Sequence, residues 1–248
     1  MYNTKTMTDM DDDMRLRMVE IGRRLAQAYG EPQPSQHRDP VSQLVETILS
    51  QNTNDRNRDL AFQRLRARLP TWAQIRDADA ALVIDAIRPA GLANQKGPHI
   101  QEALRTITRE RGDLSLDFLA DWPVDRAKAW LSSIKGIGPK TAAIVLLFGL
   151  DRPAFPVDTH VHRVTRRLGL IGPVSREKAH DDLEKLVPPE SYYSFHLNLI
   201  RHGRQVCASR RPNCQVCTLH DLCCYYQEEQ HGQMDKRSPQ HAETAESE

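Results

Sequence analysis

Apolar residues recur at helical spacing along almost the whole sequence, and the alternating pattern typical of strands is essentially absent. The first repeat starts at Met14, runs through Leu16, Val19 and Leu25, and ends near Gly30. Glycine and proline separate the later repeats. The pattern predicts helices over residues 14–30, 41–50, 55–68, 71–76, 79–89, 96–111, 115–120, 124–133, 139–149, 158–168, 175–186, 190–202 and a short one near 214–226. We therefore expect an all-α protein of two packed helical lobes.

The charge is unevenly distributed along the chain. The formal net charge is +1, but residues 1–13 contribute −3 and residues 227–248 contribute −4, which leaves +8 on residues 14–226. Both ends are polar, so we predict that they are disordered tails. A basic central part favours a polyanionic partner, although an ordinary soluble surface explains the same charge. No apolar run is long enough to cross a bilayer and no export signal is visible, so we expect an intracellular protein that does not bind membranes.

All five cysteines lie between Cys207 and Cys224, a clustering that indicates metal binding in an intracellular chain. Six residues separate Cys207 from Cys214, two separate Cys214 from Cys217, and five separate Cys217 from Cys223. Zinc sites usually contain two Cys-x-x-Cys pairs, whereas this sequence has one. The spacing also suits a [4Fe–4S] cluster, so both metals remain possible on spacing alone. Cys224 is the spare thiol and an alternative ligand to Cys223.

Residues 125–149 predict a helical hairpin with a glycine-containing turn. The turn spans residues 134–138, and Pro139 suits the first position of the second helix. Gly136 and Gly138 let the backbone adopt positive φ and leave no side chains over the turn, so we predict that the backbone amides are open to a DNA phosphate. An ordinary glycine turn between two helices is the alternative.

Lys140 lies in the first turn of the second, apolar helix of this hairpin. The positive end of the helix dipole disfavours an ammonium group there, which favours the neutral amine that Schiff-base chemistry needs. The alternatives are a solvated lysine or a phosphate contact. Downstream, Asp158 stands where another helix starts, so it can cap that helix, accept a proton from Lys140, or do both.

Together these segments resemble the helix-hairpin-helix, Gly-Pro-Asp family of DNA glycosylases. Besides the cysteine spacing, the matching segments are residues 48–55, 91–96, 136–142, 157–161 and 202–204. The resemblance extends from about residue 15 to 226 and implies two helical domains flanking a DNA cleft. One is a six-helix domain over residues 41–152 that contains the hairpin. The other combines residues 14–40 with 153–226 and carries a [4Fe–4S] cluster bound by the four spaced cysteines.

The implied activity is removal of damaged, oxidised pyrimidines from double-stranded DNA and cleavage at abasic sites. The damaged base is flipped out of the duplex. Lys140 then attacks C1′, expels the base and forms an imine, and β-elimination breaks the strand. Asp158 activates the amine. Leu92 enters the base stack, and Asn52 or Gln51 fills the vacated space. The other implied or proposed DNA contacts are Lys135, Gly136, Gly138, His160, Arg210 and Arg211.

Two departures leave the damage preference open. Lys135 stands where many relatives have proline, and residues 51–54 differ from the Ala-Gln-Ala-Thr pattern of well-known members. A monofunctional mismatch glycosylase is one alternative, although such enzymes generally lack a lysine at the position of Lys140. A non-catalytic DNA-binding module with a metal cluster is the second alternative, and a zinc-ribbon regulator is the third. The resemblance leads us to expect a monomeric, cytoplasmic, nucleoid-associated protein of bacterial origin.

Overall fold

A computed structural model describes residues 7–33 and 39–228. The helices are α1 (Met7–Tyr29), α2 (Pro40–Ser50), α3 (Asp55–Arg68), α4 (Trp72–Asp77), α5 (Ala80–Ala86), α6 (Ala93–Arg111), α7 (Val124–Ser133), α8 (Pro139–Ile144), α9 (Thr159–Arg167), α10 (Arg176–Leu186) and α11 (Tyr192–Gln205). Short 3₁₀ turns occur at Arg88–Ala90, Asp117–Asp121, Pro189–Ser191, Cys214–Val216 and His220–Leu222. These two ranges contain no strand, and the predicted all-α fold is confirmed.

Several helix starts or ends differ from the prediction; the predicted helix over 139–149, for example, divides into α8 and a π-helical segment at Val145–Gly149. Helix α1 begins at Met7, so the part of the predicted N-terminal tail from Met7 to Asp13 is helical; its sequence is rich in aspartate, which suits a helix start. Helix α6 begins at Ala93 rather than at 96. The predicted helix over 79–89 divides into α5 and the turn Arg88–Ala90, because Pro89 has no N–H to continue an α-helix.

The predicted tails lie largely outside the described residues. This holds for residues 1–6 and for 229–248, whereas residues 224–228 form a last helical turn. None of the helices in the described ranges is both long and apolar enough to cross a bilayer.

Two separate hydrophobic cores organise the molecule. The first is formed by helices α2–α8 and includes Leu44, Ile48 and Leu104, all fully buried. The second joins α1 to helices α9–α11 and includes Ile21 and Leu199. In the connection between α8 and α9, Ala154 belongs to the first core and Phe155 to the second, so the chain passes from one core to the other at this point.

Candidate active site

Lys140 lies at the edge of the first core. Pro139 is the first residue of α8, and Gly138 precedes it as the N-cap. Behind Lys140 the helix is buried, with Thr141, Ala142 and Ala143 all inaccessible. The Lys140 side chain itself is half-buried. The apolar helix thus fixes the backbone of Lys140, while part of its side chain remains accessible.

Asp158 is the N-cap of α9, next to the second core. Its Oδ1 accepts a hydrogen bond from the Val161 backbone N–H at 2.8 Å, so the predicted capping role is confirmed. The side chain is half-buried. Residues 154–157, which lead to Asp158, are all buried; we call this segment the strap. Because the strap immediately precedes the N-cap residue Asp158, the position of the strap determines the position of the Asp158 carboxylate.

Two buried histidines hold the strap in place. The Nδ1 atom of His180 lies 2.8 Å from the carbonyl oxygen of Phe155, and the Nδ1 atom of His196 lies 2.9 Å from that of Pro156. A carbonyl oxygen can only accept, so both rings carry their proton on Nδ1. Burial lowers the pKa of both histidines, that of His196 to about 4, so both rings are neutral near pH 7.

A carboxylate connects the strap to the hairpin helix. One oxygen of Glu184 accepts from the Phe155 backbone N–H at 2.9 Å, and the other lies 2.7 Å from the Lys128 Nζ. Lys128 is on α7, the first helix of the hairpin, and Glu184 is on α10 in the other half of the molecule. This half-buried ion pair therefore fixes the hairpin relative to the segment that positions Asp158.

The pKa of His196 responds to both Lys140 and Asp158. After burial, the largest influence on its pKa is Asp158, which raises it, and Lys140 lowers it. Both charges thus act on the same buried ring although they belong to opposite cores. Sequence reasoning missed His196; its only sequence signal is a polar residue on the apolar face of a predicted helix, alongside Tyr192, Phe195 and Leu199.

Only one of the two glycines in the hairpin turn has a positive φ. Gly136 has φ of +88°, and a Cβ there would lie 2.5 Å from ring atoms of His99 on α6. Gly138 has φ of −95° and is extended, because it is the N-cap of α8. A Cβ at Gly138 would meet no atom within 4 Å, and Lys135 is exposed, so this side of the turn is open.

The residues expected to probe the base stack lie on two short loops. Gln51 is tied to the hairpin, because its Nε2 donates to the Gly136 carbonyl oxygen at 3.2 Å. Asn52 is exposed and has φ of +52°. Leu92 is 48% exposed and has φ of +50°. Of the two residues proposed to fill the vacated space, Asn52 is therefore the one whose side chain is exposed to solvent.

Four of the five cysteines line one cavity. These are Cys207, Cys214, Cys217 and Cys223. Cys224 does not line it, and its Sγ instead accepts from Arg17 at 3.2 Å. The cysteine set predicted from spacing is thus brought together, with the spare thiol outside.

N–H groups point at two of these sulfurs. Arg167 donates to the Cys207 Sγ at 3.2 Å, and the Leu219 backbone N–H donates to the Cys217 Sγ at 3.4 Å. Burial, and then the neighbouring thiols, raise the pKa of Cys217 to about 11. Such thiols are stable as thiolates only when a cation compensates their charge. Arg167 had no distinguishing signal in the sequence.

The remaining predicted DNA contacts lie on or near the cysteine loop. The Nδ1 atom of His160 accepts from Arg163 at 3.1 Å, and Arg163 also donates to the carbonyl oxygens of Gly203 and Cys207. His160 therefore packs between α9 and α11. Arg210 and Arg211 are exposed on the loop.

Comparison with known proteins agrees with this geometry. Residues 45–189 match the family described as HhH-GPD superfamily base excision DNA repair protein. The chain belongs to this superfamily, which is a class of DNA repair proteins.

Within the superfamily, the chain is similar to proteins named endonuclease III. That of Sulfolobus acidocaldarius is 38% identical over 192 residues, covering 76% of this chain and 83% of the relative. That of Thermotoga maritima is 30% identical over 219 residues, covering 88% and 98%. A solved structure of a trapped endonuclease III–DNA covalent intermediate superimposes with a TM-score of 0.75 and 26% identity, covering 87% of this chain and 98% of that chain.

Proposed function

We propose that this base excision repair protein is a bifunctional DNA glycosylase and abasic-site lyase that removes oxidised pyrimidines from double-stranded DNA. The observation that carries the proposal is that a half-buried lysine and a half-buried aspartate, Lys140 and Asp158, stand at the starts of α8 and α9 and belong to different cores. We infer that the amine and the carboxylate face one common cleft, where a flipped nucleotide can enter. The similarity to a protein trapped covalently on DNA supports the same chemistry.

The proposed reaction needs a nucleophile and a proton acceptor. The Lys140 nitrogen forms a bond to C1′ of the flipped nucleotide while the bond from C1′ to the base breaks, and the base leaves with the bonding electrons. Asp158 takes the proton that the amine loses and stabilises positive charge that develops on the sugar. The sugar ring opens to an imine on Lys140. Loss of a C2′ proton then breaks the 3′ C–O bond, which cuts the strand.

We further propose that the four cavity cysteines hold a [4Fe–4S] cluster. A single zinc ion holds sulfur at about 2.3 Å, so its ligands converge on one point. In the described part of the chain, no three His, Cys, Asp or Glu side chains converge in this way. Four thiols line a cavity, and N–H groups donate to two of the sulfurs. This arrangement fits a [4Fe–4S] cluster, which is larger than a single zinc ion. The cluster's contribution when bound is to order the loop that carries Arg210 and Arg211, which we propose as DNA contacts.

The cluster proposal predicts the iron content of the purified protein. We expect about four iron and four sulfide per chain and a broad visible absorption in protein isolated without oxygen. Cys217→Ser should lose most of this iron, because a cavity ligand is removed, whereas Cys224→Ser should keep it. About one zinc per chain without iron, or equal iron loss in both variants, would contradict the proposal.

The activity is tested with a panel of duplexes that contain an oxidised pyrimidine, a mismatch or an abasic site. We expect the wild-type protein to excise the oxidised pyrimidine and to break the strand without alkali, because the imine permits β-elimination. A monofunctional mismatch glycosylase would leave an intact abasic strand that breaks only after alkali. A non-catalytic DNA-binding module would cut none of the duplexes. Either of the last two results overturns the proposed function.

A further inference from the structure

Lys96 is an unusual residue for a protein interior. Its side chain is 1% exposed, and no other lysine, arginine, aspartate or glutamate in residues 13–33 and 39–228 is buried to this degree. Its Nζ donates to the carbonyl oxygens of Leu49 and Ala90, each at 2.8 Å. Lysine is almost never fully buried without such partners. An apolar side chain of the same length would fill this space without the free-energy cost of burying an amine. Compared with such a side chain, lysine contributes the two hydrogen bonds.

Both carbonyl groups belong to residues that come just before the loops proposed to enter the DNA. Leu49 is two residues before Gln51, at the end of α2. Ala90 ends a 3₁₀ turn and is two residues before Leu92. The backbone N–H of Lys96 also donates to the Leu92 carbonyl oxygen, at 3.0 Å. Lys96 therefore holds the Leu92 loop on both sides and joins it to the loop that carries Asn52.

The two loops share a rare backbone conformation. Asn52 and Leu92 have φ of +52° and +50°, and in the described part of the chain only Asp151 and Arg211 are other non-glycine residues with positive φ. Such a conformation is disfavoured for leucine and persists only where neighbouring contacts impose it. Hydrogen bonds from Lys96 are contacts of this kind, because they fix the chain just before each strained residue.

We infer that Lys96 is a positioning residue that sets Leu92 and Asn52 at one fixed separation, so that both can enter the duplex when a base is flipped out. The inference rests on the proposed function and deepens it. Lys96 is too deeply buried to reach DNA itself. Its role concerns extrusion of the base and not the bond-breaking step, and this distinction makes the inference testable.

The test compares two substrates for Lys96→Met, which keeps the length of the side chain and removes its N–H groups. One substrate is a duplex with an oxidised pyrimidine, which requires flipping. The other is a single-stranded oligonucleotide with an abasic site, which does not. We expect the single-turnover rate on the duplex to fall by about a hundredfold, and the rate on the single strand to fall by less than about threefold.

Gln101 provides the matched control. It is buried on the same helix, and its Nε2 donates to the carbonyl oxygens of Ile75 and Ala78, which are remote in sequence from both loops. Gln101→Met removes the same kind of contact, so it should lower both rates by the same factor. If Lys96→Met does not fold, Lys96→Gln keeps amide N–H donors on a shorter side chain and should show the same selective loss to a smaller degree.

The possible outcomes separate this inference from the proposed function. A duplex-to-single-strand rate ratio that is unchanged in the Lys96 variants overturns the positioning role, whether both rates fall or neither does. A wild-type protein that excises no damaged base overturns the proposed function instead.

Discussion

Replacement of Lys140 with glutamine is expected to abolish covalent trapping on abasic DNA by borohydride. Glutamine has nearly the same size but no nucleophilic amine, so no imine forms for borohydride to reduce. Strand incision should fall by at least about a thousandfold, as for loss of the nucleophile in other covalent enzymes. Binding to undamaged duplex should change little, because Lys140 is only half-buried and its helix is held by buried neighbours.

Lys135→Gln is the control for this result. Lys135 is a second lysine of the same hairpin and is exposed on the turn. Its loss should weaken DNA binding modestly and leave trapping at saturating DNA intact. Equal trapping by wild type and Lys140→Gln would assign the nucleophile to another amine and remove the basis of the proposed mechanism.

Replacement of Asp158 with asparagine is expected to lower base excision by about 10²- to 10³-fold while the protein stays folded. Asparagine caps helices about as well as aspartate, so the hydrogen bond from the Val161 N–H can be kept. What is lost is the negative charge that accepts the proton and stabilises the cationic sugar. The measurement is the single-turnover excision rate, with the denaturation midpoint recorded for the same sample.

Ser175→Ala separates the capping role from the chemical role. Ser175 caps α10 by accepting a hydrogen bond from the Lys178 N–H, so its loss should cost about 1 kcal/mol of stability and leave excision unchanged. If Asp158→Asn also leaves excision unchanged, the carboxylate serves only as a helix cap.

The sequence predicted local structure well and tertiary contacts poorly. Helical periodicity located nearly every helix, and the spacing of the cysteines identified the four that share a cavity. Helical periodicity also placed Lys140 and Asp158 at helix starts. It contains no information on the distance between two helix starts that belong to different cores. His196, Glu184 and Lys96 were missed because their hydrogen-bond partners are distant in sequence, and periodicity does not predict such contacts.

Gly138 illustrates a second kind of limit. A glycine pair separated by one residue allows two positive φ angles, yet only Gly136 has one. Glycine is compatible with both conformations, so its presence alone does not determine which one the chain adopts.

The contact between Gly136 and His99 restricts how this protein can evolve. Position 136 is constrained twice, by its left-handed backbone and by the ring 2.5 Å from any Cβ, so a smaller residue at 99 would relieve only one of the two constraints. Substitutions are therefore expected to be tolerated better in the exposed loop at Asn52 than at Gly136 in the hairpin turn.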